Sequence, residues 1–325
     1  MRCMSLLRWG ILGAARIARQ RFVPGVRAGS SGTILSIASR DAERARLLAA
    51  ELDIPRSYGA YADLLRDPDL DAVYVALPNA LHAEWIIAAA RAGKHVLCEK
   101  PLARRAADAE RAAEACRAAG VLLMEAFMWR HHPQHARVRG LLEAGAVGDP
   151  RLVRASFTYL MAPGANIRAR ADLDGGSLMD VGTYAVNAAR WVFQSEPEQV
   201  SAQQVVDPTT GVDVAFAGVL RFPGGRLALV DSSFQQQSLT HRYEVAGPEG
   251  RLLVERAFRP DNDAGVLRLI RGATEHVEEV PAANQFAAEA DHFARSVRAG
   301  HLLPPAEDGV AQARVLEALY ASAGT

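Results

Sequence analysis

The sequence predicts an α/β fold in which a doubly wound parallel sheet is followed by an α+β domain with a largely antiparallel, open sheet. Three observations support this prediction. Apolar strand-like runs alternate with helix-forming stretches over the first half of the chain, which is typical of a parallel sheet. A glycine-bearing strand–turn–helix opens the chain, and strand-like runs separated by short turns fill much of the second half.

Length and charge set the broad class of protein. The chain has 325 residues, which is long for one hydrophobic core, so we expect two domains that meet near residue 127. It carries 37 basic and 37 acidic residues without a polybasic run, so we expect neither nucleic acid nor a membrane surface as partner. No apolar run approaches the roughly 20 residues that a membrane-spanning helix needs.

The amino terminus and the cysteines predict a cytoplasmic protein. Arg8 places a charge where a signal peptide needs its apolar core, and either Met1 or Met4 is the start. The three cysteines, Cys3, Cys98 and Cys116, are odd in number and lack metal-ligand spacing. A reducing compartment is the simplest interpretation.

The first half of the chain predicts five strands joined by helices. Glycines, an Asp41 cap and runs of Ala, Leu, Arg and Glu mark the helices between them. The predicted strands are 7–12, 33–38, 71–76, 94–98 and 121–124, and the predicted helices follow the glycine turn to about 27, then 41–51, 80–92 and 104–119.

The pattern changes after Phe127. A helix is predicted from His132-Pro133 to about Gly145, a strand over 151–161, and a helix from the double glycine at 175–176 to about Phe193. Further strands are predicted over 198–206, 212–222, 225–236, 241–246 and 251–255, with closing helices near 284–299 and 308–321.

The glycine turn after the first strand predicts a dinucleotide site. Gly13-x-Ala15-x-x-Ala18 is a weakened form of the G-x-G-x-x-G/A fingerprint of Rossmann domains. Small residues let the backbone approach a pyrophosphate, and the amides at the helix start bind it. The cofactor contacts predicted here are Gly13, Ala14, Ala15, Arg16 and Ile17. An ordinary strand–helix turn is the alternative.

The end of the second strand predicts which dinucleotide binds. NAD sites place an acid there, whereas this chain has Ser39-Arg40, and a guanidinium beside a hydroxyl suits a 2′-phosphate. Asp41 follows directly and is interpreted as a helix cap. We therefore predict NADP(H), with NAD as the alternative, and tighter binding of NADH than of NADPH would contradict this.

Lys100 and the Asp180/Tyr184 pair are the predicted reactive groups. Lys100 follows a strand, where open α/β sheets place ligands, and Glu99 is near enough to accept from ribose hydroxyls. Asp180 and Tyr184 are four residues apart on one helix face. Tyr184 could protonate a carbonyl oxygen if a cation such as Lys100 stabilises its phenolate. The alternative is a packed tyrosine whose hydroxyl bonds Asp180.

Other polar residues carry weaker predictions. His132 and Arg168 are candidate substrate contacts, although a helix cap and a solvated arginine, respectively, are the alternatives. His131 and His135 have helical spacing, but Pro133 lies between them and no acidic ligand is placed nearby, so no metal is predicted.

The chain resembles the glucose–fructose oxidoreductase/inositol dehydrogenase (Gfo/Idh/MocA) family over nearly its whole length. The resemblance rests on Gly13-x-Ala15, Glu99-Lys100-Pro101 and Gly175-Gly176-x-x-x-Asp180-x-Gly182-x-Tyr184, in this order. It implies a dinucleotide-binding Rossmann domain over 1–127 and a domain over 128–325 that binds substrate and forms a homodimer or homotetramer through its sheet. It also implies that Lys100, Asp180 and Tyr184 are catalytic and that the Lys100–Pro101 bond is cis. Residues that match the family segment beside the nicotinamide are Leu77, Pro78, Asn79 and His82.

Within the family, the chain has a tyrosine rather than a histidine at position 184. In this it resembles NADP-dependent sugar dehydrogenases, dimeric dihydrodiol dehydrogenases and sugar 3-ketoreductases. The resemblance therefore implies an oxidoreductase acting on a sugar or a sugar derivative. A dihydrodiol dehydrogenase and a non-catalytic NADP(H) sensor are the alternatives. Retention of both Lys100 and Tyr184 argues against a sensor, because a sensor needs neither residue.

Overall fold

The structure is a computed structural model that describes residues 6–162, 166–260, 263–302 and 304–324. The expectations for Cys3 and for the start at Met1 or Met4 therefore lie outside the described residues. The chain divides into two compact units, one of residues 1–131 with 284–310 and one of residues 132–283 with 311–325. The sequence predicts one boundary at 127 and does not indicate that 284–310 belongs to the first unit. Among the described helices, none combines the length and apolarity needed to cross a bilayer.

The first unit contains a six-stranded parallel sheet in the order β3-β2-β1-β4-β5-β6. This is the strand order of a dinucleotide-binding doubly wound sheet. Its strands are β1 (Leu7–Leu12), β2 (Gly32–Ala38), β3 (Arg56–Tyr58), β4 (Ala72–Val75), β5 (His95–Glu99) and β6 (Leu123–Ala126). Five strands were predicted; β3 was not, because three partly exposed residues carry too little apolar pattern.

Helices cover this sheet because its strands are apolar on both faces. A π-helical turn, Ala18–Phe22, leads into α1 (Val23–Ala28), and α2 (Ala42–Glu51), α3 (Tyr61–Leu65), α4 (His82–Arg91) and α5 (Ala106–Ala118) follow. Short 3₁₀ segments occupy Asn79–Leu81 and Met128–His131. Asp41 caps α2 by accepting from the Arg44 amide at 3.1 Å, as predicted.

The returning segment completes the core of the first unit. Trp9 of β1 packs at 5.3 Å, between ring centroids, against both Phe22 and Phe293. Phe293 lies on the helix Gln285–Ala299, whose Asn284 cap accepts from the amides of Phe286 and Ala287. Burying aromatic side chains of this size stabilises a fold by about 1.5–3 kcal/mol each, so this helix is part of the unit's core.

The second unit contains an eight-stranded mixed sheet, ordered β14-β13-β12-β11-β7-β10-β9-β8. Among the described strands of this sheet, only β7 and β10 form a parallel pair, so the prediction of a largely antiparallel sheet is confirmed. The strands are β7 (Leu152–Leu160), β8 (Gln199–Val206), β9 (Asp213–Phe222), β10 (Arg226–Ser233), β11 (Gln235–Gly247), β12 (Gly250–Glu255), β13 (Gly265–Arg271) and β14 (Thr274–Val280).

Four longer helices complete the described chain. They are α6 (Pro133–Glu143), α7 (Thr183–Phe193) with the π-helical turn Leu178–Gly182 before it, α8 (Gln285–Ala299) and α9 (Ala306–Ser322). Short 3₁₀ segments occupy Ile167–Ala169, Ala171–Leu173 and Pro223–Gly225. Every residue of α7 except Trp191 is buried, because the helix packs on β7 and β10.

The two faces of the eight-stranded sheet differ. On β10, Ala228 and Val230 are buried, whereas Leu227 and Leu229 are about 40% exposed. The period of two along a strand explains this alternation, with helices covering one face and the other left open.

Candidate active site

The predicted cofactor residues of the first unit lie along one edge of its parallel sheet. Gly13 follows β1, Ser39 and Arg40 follow β2, Leu77 to Asn79 follow β4, and Lys100 follows β5. These four strands are adjacent, and their carboxyl ends share one edge because they are parallel. The order of the strands reverses between β1 and β4, where open α/β sheets bind their ligands.

The turn at Gly13 requires glycine. Its φ is +110°, and a Cβ there would lie 2.4 Å from the carbonyl oxygen of Ala76. Neither the conformation nor the space allows a side chain. Ala14 and Ala15 are partly buried, and Arg16 is exposed in the first helical turn. The turn thus brings bare backbone and the amides of a helix start to the edge of the sheet, a geometry that fits a pyrophosphate.

The end of β2 combines a buried hydroxyl with cations. Ser39 is 7% exposed and its Oγ accepts from the Asp41 amide at 3.2 Å, while Arg40 is exposed. Arg44, which the sequence analysis missed, donates from Nη2 to the Ala14 carbonyl at 2.7 Å. Its position one helical turn after the Asp41 cap was the available signal. Two guanidiniums at the end of β2 fit a 2′-phosphate better than a free diol.

The loop that holds Lys100 is fixed from both sides. The Lys100–Pro101 bond is cis, as the resemblance implied. His82 is fully buried, with Nδ1 2.8 Å from the Pro101 carbonyl and Nε2 2.9 Å from the Leu77 carbonyl. Burial lowers the pKa of His82, so a neutral ring donates to one carbonyl at a time. His82 was predicted to contact the cofactor, and in the structure its ring nitrogens face these two backbone carbonyls.

Two glutamates border the same loop. Glu125, missed in the sequence analysis, accepts from the Leu102 amide at 2.8 Å directly after the cis bond. Glu99 accepts from the hydroxyl of Tyr74, whose ring stacks on Phe22. Lys100 itself is half-buried. Contacts to its neighbours on both sides therefore define the position of the Lys100 backbone.

In the second unit, Asp180 is the centre of a polar cluster. Its Oδ2 lies 2.8 Å from Arg168 Nε and accepts from the Tyr159 hydroxyl at 2.9 Å. Arg168 was a weak candidate, and Tyr159 was missed because a tyrosine within an alternating strand has no distinguishing sequence signal. The charge of Asp180 raises the pKa of Arg168, and burial followed by the Asp180 charge raises that of Tyr159. Asp180 is thus a carboxylate held between an exposed guanidinium and a neutral phenol.

Tyr184 lies one turn further along the same helix. It is 4% exposed, and its ring packs at 5.4 Å against both Phe157 and Phe258. Apolar packing on the ring fixes the direction of the hydroxyl, as a proton-transfer group requires. Tyr159 and Arg168 both contact Oδ2 of Asp180, so the alternative, in which the Tyr184 hydroxyl bonds Asp180 within the helix, stays a prediction.

The histidines of the 131–135 segment have structural contacts. His132 is buried at the start of α6, where its Nδ1 accepts from the Gln134 amide at 3.2 Å. His135 has Nδ1 2.9 Å from the Tyr243 hydroxyl and Nε2 2.8 Å from the Ala257 carbonyl, and burial lowers its pKa to about 3. Within the described ranges, no three His, Cys, Asp or Glu side chains form a group that could hold a metal ion.

Comparison with models of known protein families shows to which family the chain belongs. Residues 7–127 match the model of an oxidoreductase family with an NAD-binding Rossmann fold, and residues 135–253 match the GFO/IDH/MocA C-terminal domain. The chain belongs to this oxidoreductase family. The family resemblance is confirmed, and so are the fold class and the enzyme class.

Three individual relatives show which enzymes of the family this chain is similar to. The chain is 41% identical over 322 residues to a D-xylose 1-dehydrogenase (NADP(+)) from Haloferax volcanii, covering 98% of both chains. It is similar in structure to a 3-ketoreductase from Actinomadura kijaniata in complex with NADP and TDP-benzene, with a TM-score of 0.92, 36% identity and 98% of both chains covered. An aldose–aldose oxidoreductase from Caulobacter crescentus complexed with glycerol has a TM-score of 0.91, 31% identity and the same coverage.

Proposed function

We propose that this chain is an NADP(H)-dependent sugar oxidoreductase that transfers hydride between the nicotinamide and a CH–OH or C=O carbon of a sugar or sugar derivative. One observation carries the proposal: the predicted cofactor residues follow adjacent parallel strands at the point where their order reverses. We assign cofactor binding to the domain predicted over 1–127, and substrate binding and dimerisation to 128–325. The proposed cofactor contacts remain Gly13, Ala14, Ala15, Arg16, Ile17, Ser39, Arg40, Leu77, Pro78, Asn79, His82, Glu99 and Lys100.

NADP(H) is proposed over NAD(H) because of the cations at the end of β2. Arg40 is exposed beside the buried Ser39, and Arg44 lies against the cofactor turn. The relatives named above, one called NADP(+)-dependent and one solved with NADP, support the same choice. Titration with NADPH and NADH tests it, and tighter binding of NADH would reject it.

The proposed mechanism gives each catalytic residue one role. When bound, the nicotinamide supplies or accepts the hydride. Tyr184 donates a proton to the substrate oxygen during reduction and removes it during oxidation, and Lys100 stabilises the negative charge on that oxygen. Asp180, held by Arg168 and Tyr159, orients the substrate hydroxyls. Structures of the Actinomadura kijaniata ketoreductase include variants at a tyrosine and at a lysine, the two residue types proposed here.

Two variants test these roles. Tyr184→Phe and Lys100→Met should bind NADPH within about twofold of the wild type but lower kcat by about 10²–10⁴-fold, the usual contribution of a positioned proton donor. Tyr61→Phe, a buried tyrosine in the first unit, is the control and should keep wild-type kcat. Near-normal kcat in both variants would reject the assignment.

The substrate screen uses aldoses, aromatic dihydrodiols and nucleotide-linked keto sugars with both NADP and NADPH. Turnover of an aldose or a keto sugar supports the proposal. Turnover of a dihydrodiol alone would reassign the enzyme within its family. Tight NADPH binding without turnover of any of these compounds would favour the sensor.

We also propose a homo-oligomer that forms through the open face of the eight-stranded sheet. A depression of about 750 Å³ on this face is lined by Val219, Leu229, Asp231, Arg154 and Arg251, among others. Exposed apolar side chains in a concave, polar-rimmed patch are typical of a protein interface. A cytoplasmic location is proposed because Cys98 and Cys116 are buried free thiols.

A further inference from the structure

The helix that carries Asp180 and Tyr184 is anchored at its start by a buried carboxylate, Asp213. This residue is 3% exposed and is the first residue of β9. Its Oδ2 accepts from the Ser177 hydroxyl at 2.7 Å and from the Leu178 amide at 2.8 Å. Its Oδ1 accepts from the Tyr320 hydroxyl of α9 at 2.7 Å. One carboxylate thus joins a strand, the start of one helix and the end of another.

The double glycine before the helix makes room for this carboxylate. Gly176 has a φ of +119°, and a Cβ there would lie 2.0 Å from Asp213 Oδ1. A Cβ on Gly175 would lie 2.4 Å from the Arg168 carbonyl oxygen. The sequence of the double glycine predicts only that some backbone or ligand approaches here. The structure identifies two neighbours: the Asp213 carboxylate and the backbone of Arg168, whose side chain pairs with Asp180.

A second contact fixes the same helix start to the sheet. Ser232 Oγ of β10 lies 3.0 Å from Ser177 Oγ, and a Cβ on Gly182 would lie 2.8 Å from Ser232 Oγ. Leu178, which Asp213 holds, is two residues before Asp180 and six before Tyr184. At about 1.5 Å of rise per residue, Tyr184 lies roughly 9 Å beyond Leu178 along the same short helical segment.

We infer that Asp213 is a positioning residue of the reaction, because it sets the position of Asp180 and Tyr184 on the sheet through the start of their helix. This inference rests on the catalytic roles proposed above for those two residues. A negative charge at a helix start is also favoured by the helix dipole, which adds to the hydrogen bonds. Displacement of a reacting group by about 1 Å can lower a rate by roughly 10²-fold.

The test compares Asp213→Ala and Asp213→Asn with a matched cap variant, Asn284→Ala. Asn284 also accepts from two amides at a helix start, at 3.1 and 3.0 Å, but its helix carries no proposed catalytic residue. For each variant, kcat per bound NADPH, KM for the sugar, Kd for NADPH and Tm are measured. Counting only molecules that bind NADPH removes the effect of partial unfolding.

Asp213→Ala is expected to lower kcat per bound NADPH by about 10–100-fold while Kd for NADPH stays within about twofold. Asp213→Asn, whose amide oxygen can still accept from Leu178, should lower kcat only about 3–10-fold below the wild type. Asn284→Ala should lower Tm and leave kcat unchanged. Wild-type kcat in Asp213→Ala would overturn the inference, as would equal losses of kcat in the Ala and Asn variants.

If Asp213→Ala yields no folded protein, Asp213→Asn alone tests the inference. A kcat about 3–10-fold below the wild type, which corresponds to about one lost hydrogen bond, supports the inference. Wild-type kcat in Asp213→Asn overturns it. Tyr184→Phe distinguishes failure of the proposed function from failure of the positioning role of Asp213. Full activity in Tyr184→Phe rejects the proposed function itself. Loss of activity in Tyr184→Phe with full activity in Asp213→Ala rejects only the positioning role.

Discussion

At the residue scale, glycine is required where the backbone must pass a carboxylate. Gly176 combines a φ of +119° with a space that Asp213 already occupies, whereas Gly211 has a φ of +71° and no atom closer than 3.9 Å to its would-be Cβ. Comparing Gly176 with Gly211 separates the conformational cost of adding a methyl group from the steric cost. Gly211 has only the conformational cost, and Gly176 has the conformational and the steric cost together.

We therefore predict that Gly176→Ala destabilises the protein far more than Gly211→Ala. Gly211→Ala should lower the free energy of unfolding by about 1 kcal/mol, the cost of a left-handed alanine. Gly176→Ala should lower it by at least 3–4 kcal/mol, roughly the range of mutations that break a buried network. Urea unfolding of both variants measures this, and equal values would show that Asp213 moves aside at little cost.

Residues of the candidate site differ in how far their partners lie along the chain. The turn at Gly13, the end of β2 and the Lys100 loop could be predicted because a local pattern of strand, small residue and helix identifies a strand end. Tyr159 and Asp213 could not, since they meet the 177–180 segment from 21 and 35 residues away. No spacing rule connects a polar residue in a strand to a particular helix start.

At the element scale, α8 shows what a returning helix contributes. A Cβ on Gly25 of α1 would lie 2.7 Å from the Cβ of Phe286, and Asp291 accepts from the amides of Ser30 and Ser31. The sequence predicts the helix from its period, but its membership of the first unit depends on contacts across some 260 residues. The strands β13 and β14 were missed as well, because β14 is exposed except near its end and β13 is half-exposed in alternation.

Glu289 of α8 makes the stability of the first unit depend on pH. It is 1% exposed, Oε1 has no hydrogen-bond partner, and burial, with a contribution from Glu99, raises its pKa well above the usual value. Below the pKa of the unfolded chain, Glu289 is protonated in both states and its contribution is fully present. As pH rises toward the folded pKa, only the unfolded chain releases the proton, so the free energy of unfolding falls.

Glu289→Gln replaces the carboxyl group by a neutral amide, so ionisation at this position can no longer stabilise the unfolded chain. The variant should therefore be more stable than the wild type at pH 8, and this advantage should shrink toward pH 5. Urea unfolding at the two pH values measures the difference. Glu84→Gln, on the exposed side of α4, serves as the control and should show no such trend. An advantage that is constant with pH would show that Glu289 is ionised in the fold.

At the scale of the whole molecule, the open sheet face is the main apolar surface that lacks a partner within the described part of the second unit. Val219 and Leu229 are cross-strand neighbours, each about 40% exposed, and Leu227 lies two residues along the same face. Arg154 pairs with Glu244 beside them at 2.5 Å. A twofold interface uses the same patch on both subunits, and this patch carries apolar side chains together with charges of both signs.

Leu229→Glu should dissociate the proposed oligomer, because it places an unpaired charge at the centre of the patch. Light scattering after gel filtration should give a multiple of 35.0 kDa for the wild type and about 35 kDa for the variant. Leu47→Glu, at a leucine of α2 that is 55% exposed, should keep the wild-type mass. A wild-type mass of 35.0 kDa at micromolar concentration would contradict the proposal.

Because residues 284–310 belong to the first unit, that unit can be completed only late in the synthesis of the chain. Phe293 packs against Trp9, so this side of the amino-terminal core stays unpacked until α8 leaves the ribosome. Roughly 180 residues separate the end of the first stretch from the end of the second, which takes about 10–35 s at ~5–20 residues per second. Throughout that interval the nascent Rossmann unit presents Trp9 to water or to a chaperone, and residues 132–283 of the second unit emerge before the first unit is complete.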